Sequence, residues 1–538
     1  MLPQAEDWAA VRRAPRRDLI AGSTVAVVAL PLALAFGVSS GLGAEAGLIT
    51  AIVGGFVAAI FGGSNLQVSG PTGAMTVVLI PIVHQFGPAG ALTAGFLAGV
   101  ILIGLAAAKV GRYVRFLPLP VIEGFTAGIA VVIALQQVPA ALGLKASEDD
   151  RVLAVAWDAV SRFAQSPDVV PIVMALAVAA TMLVGVRLRP GLPFALIAVA
   201  LATALSALLL DLPTIGALPA ALPAPSTGFF DAANAAALLP AAAAIAALAA
   251  LESLLSATVA DGMTVNERHD PDRELFGQGL ANLAVPLFGG VPATAAIART
   301  AVNVRAGAGS RLAAASHAVI LAAVVLIAAP LVASIPLAAL AGVLLATTAR
   351  MVDPATLRGL LRSTRGDAAI LVSTFLVTVT VDLITAVGLG VALAMIVALR
   401  NLAKTATFDR VEVDRRDHTA EEHRLLNERI VAFRPAGPLF FGAASRFLTD
   451  LTDVTGVDAV VLRLSAITTM DATGAAVLGD AIEHLERRGI PVLVSGITDD
   501  HHQVLTALGA TARLNERGHV FPDTPSAIAY AREHLVRR

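Results

Sequence analysis

The 538-residue sequence is 57% hydrophobic and 14% charged, with a mean hydropathy of +0.78, which excludes an ordinary soluble domain. A net charge of −2 argues against a nucleic-acid partner, and the absence of cysteine excludes disulfides, thiolate metal sites and cysteine nucleophiles. Residues 405–538 hold 34 of the 78 Lys, Arg, Asp and Glu residues, so the composition predicts a membrane domain over 1–404 and a water-soluble domain over 425–538.

A helix that crosses the hydrocarbon needs about 20 apolar residues. On that length the chain predicts segments at 18–40, 45–62, 71–86, 89–108, 118–138, 169–187, 191–211, 235–261, 272–288, 294–306, 312–331, 335–351, 366–382 and 384–402. The first runs on into further apolar segments without a cleavage site, so it reads as a transmembrane helix and not as a signal peptide. The stretch 212–230, with four prolines and no Lys or Arg, splits the fourteen segments into seven and seven, about 18–211 and 235–402. Arg12, Arg13, Arg16 and Arg17 precede the first segment and predict a cytoplasmic N-terminus. Fourteen crossings then place Lys109/Arg112/Arg115, Arg187/Arg189, Arg268/Arg273, Arg305/Arg311, Arg350/Arg358/Arg362/Arg365 and Arg400/Lys404 inside. Only Lys145, Arg151 and Arg162 fall outside, beside Glu148, Asp149 and Asp150. The C-terminal domain is therefore expected in the cytoplasm, attached to a multi-pass membrane domain.

Seven is odd, so the second half enters from the opposite side and the repeat is inverted. Phe61-Gly62-Gly63 with Ser69-Gly70-Pro71-Thr72-Gly73-Ala74, and Phe288-Gly289-Gly290 with Val291-Pro292-Ala293-Thr294-Ala295, break the apolar sequence at matching places in the two halves. The segments that follow, 71–86 and 294–306, are short. Interrupted segments at corresponding positions point to a transporter's binding site, because lipid tolerates non-helical backbone only where protein or a cavity surrounds it. Both short helices are expected to begin near the midplane and run apart, so their N-termini face one point. Each N-terminus carries roughly +0.5 charge and unpaired N–H groups, which attract an anion. Pro71 and Pro292 suit a first helical turn. Ser69, Thr72 and Thr294 are positioned to cap these helices or to donate hydroxyls, while Gly73, Ala74, Ala295 and Ala296 let backbone approach a ligand. The plainer reading, two ordinary breaks buried by packing, does not account for their symmetry.

Glu252, in Leu251-Glu252-Ser253-Leu254-Leu255-Ser256, is the most interior carboxylate, and intramembrane acids are functional candidates by default. Ser256 lies one turn on and shares its face. Together they are candidates to hold Na⁺ through oxygen ligands, or Glu252 alone to carry a proton. A carboxyl tied to helix ends is the structural alternative. Arg299 either adds positive potential to the site or snorkels toward the membrane surface. Gly95-Phe96-Leu97-Ala98-Gly99 reads as a helix-packing pattern, and Gly41, Gly43 and Gly47 lie between membrane helices and are rejected as a phosphate loop. His84 reads as structural. No nucleophile–base pair or metal-spaced cluster marks an enzyme.

The soluble part alternates strand and helix patterns: strands at 430–434, 459–464 and 491–495, and helices at 441–451, 473–487, 502–508 and 525–535. This is a small α/β domain. Met470-Asp471-Ala472-Thr473-Gly474 falls at a strand-to-helix junction, where Asp471 or Thr473 can cap the helix and its N–H groups can meet an anion.

Four passages, Ala29-Leu30-Pro31-Leu32-Ala33-Leu34-Ala35-Phe36-Gly37, Gln67-Val68-Ser69-Gly70-Pro71-Thr72-Gly73, Leu251-Glu252-Ser253-Leu254-Leu255-Ser256 and Ala298-Arg299-Thr300-Ala301-Val302-Asn303, resemble the SulP family of anion transporters. The tail resembles a STAS domain, with Asp471-Ala472-Thr473-Gly474 in place of its Asp-Ser-Ser-Gly motif. The resemblance implies a seven-plus-seven inverted repeat, a core domain that moves as an elevator against a gate domain, and a homodimer. It implies substrates among sulfate, bicarbonate, chloride, oxalate and dicarboxylates, and an aromatic at Phe36 lining the site. The first-helix passage is most similar to the Na⁺/bicarbonate members, whose Asp and Thr ligands for Na⁺ correspond to Glu252 and Ser256. Leu32 stands where many members have Gln. Thr473 is the one remaining position for phosphorylation in the STAS motif.

The expected function is secondary active transport of a small inorganic anion, sulfate or bicarbonate, driven by Na⁺ or H⁺ through Glu252. The anion would lie between Thr72–Ala74 and Thr294–Ala296, near Phe36 and Arg299. No cofactor beyond the coupling ion is expected, and any protein partner of the STAS domain is unknown. The rivals are an H⁺-coupled dicarboxylate (fumarate-like) carrier, a nucleobase permease, and an anion channel, exchanger or membrane-anchored signalling module.

Overall fold

The computed structural model of the protein describes residues 2–8, 10–12, 14–116, 118–147, 149, 151–189, 192–210, 212–218, 221–265, 267–411, 429–441 and 456–535. The chain divides into a unit of residues 1–391 and a unit of residues 392–538.

In the first unit α1 (Pro15–Ser39) opens on a proline, whose missing N–H costs nothing at that position. Helices α2 (Ala44–Ile49) and α3 (Gly55–Phe61) join through a π-helical turn, Thr50–Gly54, into one span that stops at extended Gly62. After the two-residue strand β1 (Ser69–Gly70), α4 (Gly73–Ala107) runs for 35 residues, about 52 Å if straight and too long for one crossing. Gly87, at φ 68°, breaks it just before Pro88, so the two segments expected at 71–86 and 89–108 are present as two arms of a bent helix. The first half is completed by α5 (Leu119–Gln136), α6 (Val138–Ala141), α7 (Val152–Gln165), α8 (Val169–Leu188) and α9 (Phe194–Leu205), the last extended by a π-helical turn to Leu210. The second half comprises α10 (Ala235–Gly262), α11 (Pro271–Leu287), strand β2 (Thr294–Ala295), α12 (Ile297–Arg305), α13 (Arg311–Ala333), α14 (Leu337–Met351), α15 (Pro354–Ser363), α16 (Arg365–Thr380) and α17 (Leu383–Lys404). Among the described residues nine helical spans are long and apolar enough to cross a membrane. Three helices lie outside the expected set: α6 is a single turn, and α7 and α15 each carry a polar face and are shorter than a span.

The packing carries the inverted repeat. Helix α1 packs on α13 as α10 packs on α4, α3 meets α13 as α11 meets α4, and α5 meets α16 as α14 meets α8. Each of these three pairings thus recurs with the halves exchanged. Helices α1–α4 with α10–α13 make one group, and α5, α8 and α9 with α14 and α16 make the other. The stretch after Leu212 does more than link the halves: Thr214 bridges Pro336, and Ser226 N–H donates to the Leu287 carbonyl at 2.7 Å.

The second unit holds β3 (Thr407–Val411), β4 (Ile430–Leu439), β5 (Ala459–Arg463), β6 (Ile467–Met470), α18 (Ala472–Arg487), β7 (Val492–Ser495), α19 (Asp499–Ala507), α20 (Ala512–Glu516), β8 (Val520–Phe521) and α21 (Thr524–Leu535). The sheet order is β3-β4-β5-β7-β8, parallel except at β3, and β6 pairs with the end of β4 beyond an irregularity at Gly437/Pro438. Alternation sets the two faces: Val460, Leu462, Val492 and Val494 pack with Leu478, Leu485 and Leu505, whereas Val461 and Leu493 pack with Ala527 and Ala531 of α21. The strands and helices expected here are present with shifted ends. Strands β3, β6 and β8 were not expected, since each is short or polar. The helix expected at 441–451 lies, beyond Phe441, outside the described residues.

Candidate functional site

The two breaks meet. Strands β1 and β2 pair antiparallel, Ser69 opposite Ala295 and Gly70 opposite Thr294. Antiparallel partners lie about 5 Å apart between Cα atoms. Helices α4 and α12 therefore begin within a few residues of one another and leave in opposite directions along the chain. Thr72 precedes α4 in extended conformation and its hydroxyl accepts from Met75 N–H at 3.4 Å. Ala296 precedes α12 with no side-chain cap, leaving the first-turn N–H groups of α12 without intrahelical partners. Thr294 and Ala295 are buried, Ala296 is half-buried, and Ile297 and Ala298 are exposed.

A polar scaffold holds this pair. Asn282 grips Ala293 from both sides, accepting its N–H at 2.9 Å and donating to its carbonyl at 2.8 Å. Gln278 Nε2 donates to Ser69 Oγ at 2.7 Å and to Glu274 Oε1 at 2.9 Å. Thr300 Oγ1 accepts from Val68 N–H at 3.1 Å, Asn303 donates to the Leu66 carbonyl at 2.7 Å, and Gln67 donates to the Ser253 carbonyl at 2.9 Å. Thr50, in the π-helical turn, donates to the Val291 carbonyl at 2.7 Å. Thr50, Glu274, Gln278 and Asn282 escaped the sequence reading, and Gln67, Thr300 and Asn303 entered it only as part of the family resemblance. One signal was there: Glu274, Gln278 and Asn282 form an i, i+4, i+8 polar row on α11, which a membrane helix keeps only where the row has partners.

Thr72 Oγ1 donates to Glu252 Oε2 at 2.8 Å. Glu252 is partly exposed as a residue, whereas Ser253 and Ser256 are fully buried. The next turns of α10 on that side, Leu255, Thr258, Val259 and Gly262, are also partly or fully exposed. Ser256 turns away, donating to Thr300 Oγ1 at 2.9 Å. Thr294 donates to the Ala249 carbonyl at 3.1 Å. Two of the hydroxyls read as ligand donors thus donate to protein, Thr72 to Glu252 and Thr294 to α10, while Ser69 accepts from Gln278.

Arg299 does not snorkel. It is 1% exposed, and Nη2 donates to the Pro71 carbonyl at 2.6 Å, which ties α12 to the start of α4. Its Nη1 lies over Gly70, where an added Cβ would come within 2.4 Å, so the absence of a side chain at 70 makes room for the guanidinium. Gly73 is equally closed: a Cβ there would lie 2.2 Å from Ile133 Cδ1 and 3.1 Å from Phe36 Cε1. Phe36, 6% exposed, therefore packs on the first turn of α4, and Ala74 beside it is buried. Gly95 and Gly99 pack against Pro292 and the Gly279 carbonyl, where a Cβ would clash at 2.7 and 2.8 Å. What the site offers an anion is backbone N–H groups and one guanidinium, with a carboxyl on the same floor.

In the second unit Asp471, not Thr473, caps α18. Its Oδ1 accepts from Gly474 N–H at 2.7 Å and its Oδ2 from Phe441 N–H at 3.2 Å. Thr473 is exposed on the first turn. A Cβ at Gly474 would lie 2.2 Å from the Leu439 carbonyl oxygen, which accounts for the glycine of the motif.

Comparison with known proteins follows the same division. Residues 16–374 match the family model "Sulfate permease family" and residues 425–527 match the STAS domain. YvdB of Bacillus subtilis, provisionally named a sulfate transporter, is 35% identical over 514 residues, 93% of this chain and 95% of its own length. The bicarbonate transporter BicA of Picosynechococcus sp. is 33% identical over 535 residues, 95% of this chain and 92% of its own. The solved structure of SLC26A9 superposes with a TM-score of 0.82 at 16% identity over 98% of this chain and 91% of that one, a likeness of fold. From the crossed helix breaks, the inverted packing and these matches, the chain belongs to the sulfate permease family and carries a STAS domain.

Proposed function

We propose that the protein is a secondary active transporter that carries a small inorganic oxyanion, sulfate or bicarbonate, across the bacterial cytoplasmic membrane. The observation that carries this reading is the antiparallel β1–β2 pair, which sets two helix N-termini and the Arg299 guanidinium around one spot beside Glu252. Helix N-termini and a buried guanidinium favour a compact anion of charge one or two. Sulfate and bicarbonate are the cargoes named for the relatives YvdB and BicA.

Glu252 is the coupling residue in this reading. The proton is the favoured coupling ion in this reading, because Glu252 takes its hydrogen bond from Thr72 while Ser256 is bonded to Thr300, so the two expected Na⁺ ligands have different partners. A carboxyl that alternates between neutral and charged beside a bound anion links proton and anion movement by charge alone. The exposed strip from Glu252 to Gly262 reads as the path to the cytoplasm, with both termini on that side. The group α1–α4 with α10–α13 would move as the elevator against the other helices. A homodimer and an unidentified protein partner for the STAS domain complete the reading.

Uptake of labelled sulfate, bicarbonate and fumarate into proteoliposomes, each under an imposed Na⁺ or pH gradient, tests it. Sulfate or bicarbonate uptake driven by the pH gradient is expected. Glu252→Ala should abolish gradient-driven uptake in protein that elutes and melts as wild type. Wild-type uptake by that variant removes Glu252 from the mechanism, and fumarate uptake alone replaces the cargo class.

A further inference from the structure

Helix α7 is 14 residues long, too short to cross a bilayer, and lies between two helices that do cross, α5 and α8. It packs against α5 and α6 through Ala156 and Ala159, which are 6% and 0% exposed. At about 100° per residue, Leu153, Trp157, Val160 and Ala164 share an arc of about 60° away from that seam. Leu153 is 50% exposed, Trp157 75% and Val160 47%. The opposite side is polar. Asp158 and Arg162 form an ion pair at 2.8 Å there, and Arg162 Nη2 donates to the Lys145 carbonyl at 2.7 Å.

We propose that α7 is an interfacial helix. It lies in the plane of the bilayer surface, with Leu153, Trp157 and Val160 in the headgroup and upper acyl region and the Asp158–Arg162 pair facing water. Three observations commit the apolar face to lipid and not to a protein. Helix α7 ends at Gln165, with three residues between it and the start of α8 at Val169, so it is held close to the end of a spanning helix. The next helix, α8, presents its own exposed apolar row, Val169, Val173 and Leu176, from its first turn. The ring at its centre is tryptophan, whose amphipathic indole concentrates at the membrane–water boundary. An apolar face opposite a charged one, on a helix too short to span, buries about 5–10 Å deep at such a boundary. The inference stands whichever anion is carried.

The chain has two tryptophans, Trp8 and Trp157, which gives a direct test. Full-length Trp8→Phe protein leaves Trp157 as the single emitter, with Trp8→Phe/Trp157→Phe as the blank. Both are reconstituted into phosphatidylcholine vesicles containing lipid brominated either near the glycerol end or near the methyl end of the acyl chain. Shallow bromine is expected to quench Trp157 at least about two-fold more than deep bromine, with little quenching by aqueous iodide. Equal quenching at both depths overturns the proposal. So does emission that iodide quenches and neither lipid does, the result for a ring in water, and so does emission that no quencher reaches, the result for a second copy or another protein covering this face.

Discussion

Replacing Gly70 by Ala would place a methyl group 2.4 Å from Arg299 Nη1, 3.3 Å from its Cζ and 3.3 Å from the Cα of Ala51. Ala51 is backbone in a buried π-helical turn, so the guanidinium is what gives way. It can retreat only by losing the 2.6 Å bond from Nη2 to the Pro71 carbonyl. A charged hydrogen bond of this kind contributes about 1.5–3 kcal/mol, and overpacking of a closed site costs about 1–3 kcal/mol. The terms overlap, and Gly70→Ala is expected to lower stability by roughly 2–4 kcal/mol. The displaced charge should weaken anion binding about ten-fold or more, some 1.4 kcal/mol. Thermal unfolding of the purified protein during titration with sulfate or bicarbonate reads both quantities. Gly87→Ala is the control: φ is 68° and nothing lies within 4 Å of an added Cβ. It should cost about 1–2 kcal/mol of backbone strain and leave the anion-dependent shift intact. A Gly70→Ala protein that binds anion as wild type would refute the role given to the Arg299 seat.

Asn282→Ala should unfold at lower denaturant or temperature by about 2–4 kcal/mol, because it strands both the N–H and the carbonyl of buried Ala293; Asn282→Asp should recover part of the loss through the N–H alone. Asp7, before α1, receives two bonds from Arg273 at 2.9 and 2.6 Å, and this guanidinium holds its carboxyl below the usual range near 3.8. A depressed carboxyl contributes stability that is present above its unfolded pKa and is lost as pH falls through the folded one. Asp7→Asn should therefore melt about 1 kcal/mol below wild type at neutral pH, with the gap closing below pH 3.8. In the STAS domain of the full chain, Asp471→Ala should cost about 1 kcal/mol by removing the cap of α18. Thr473→Ala, at an exposed position whose hydroxyl caps nothing, should leave unfolding unchanged.

Membrane helices are legible in a sequence because hydrocarbon imposes a local rule: enough apolar residues in a row, with the backbone satisfied inside the segment. That rule located every spanning segment, including the two arms of α4. The α7 helix fell outside it because its apolar face is a stripe, and α15 because it is half polar. In the soluble unit β4, β5 and β7 were readable from apolar runs, whereas β8, only two residues long, exists because β7 pairs with it. Within the site, the breaks at 69–74 and 291–296 stood out as irregular sequence. The commitments of the hydroxyls did not, since Ser256 and Thr300 lie 44 residues apart and Thr72 and Glu252 lie 180 apart.

The amino-acid sequence by itself determined where the apolar helices lie, the two glycine–proline breaks and the α/β tail, because each follows from composition over a few neighbouring residues. Only the tertiary structure decided that the breaks pair as strands, that Arg299 lies buried over Gly70, and that Glu252 takes Thr72 while Ser256 takes Thr300. Those choices depend on which groups from distant segments compete for the same partner once the helices have packed, and buried polar groups settle on the set that leaves fewest of them unpaired.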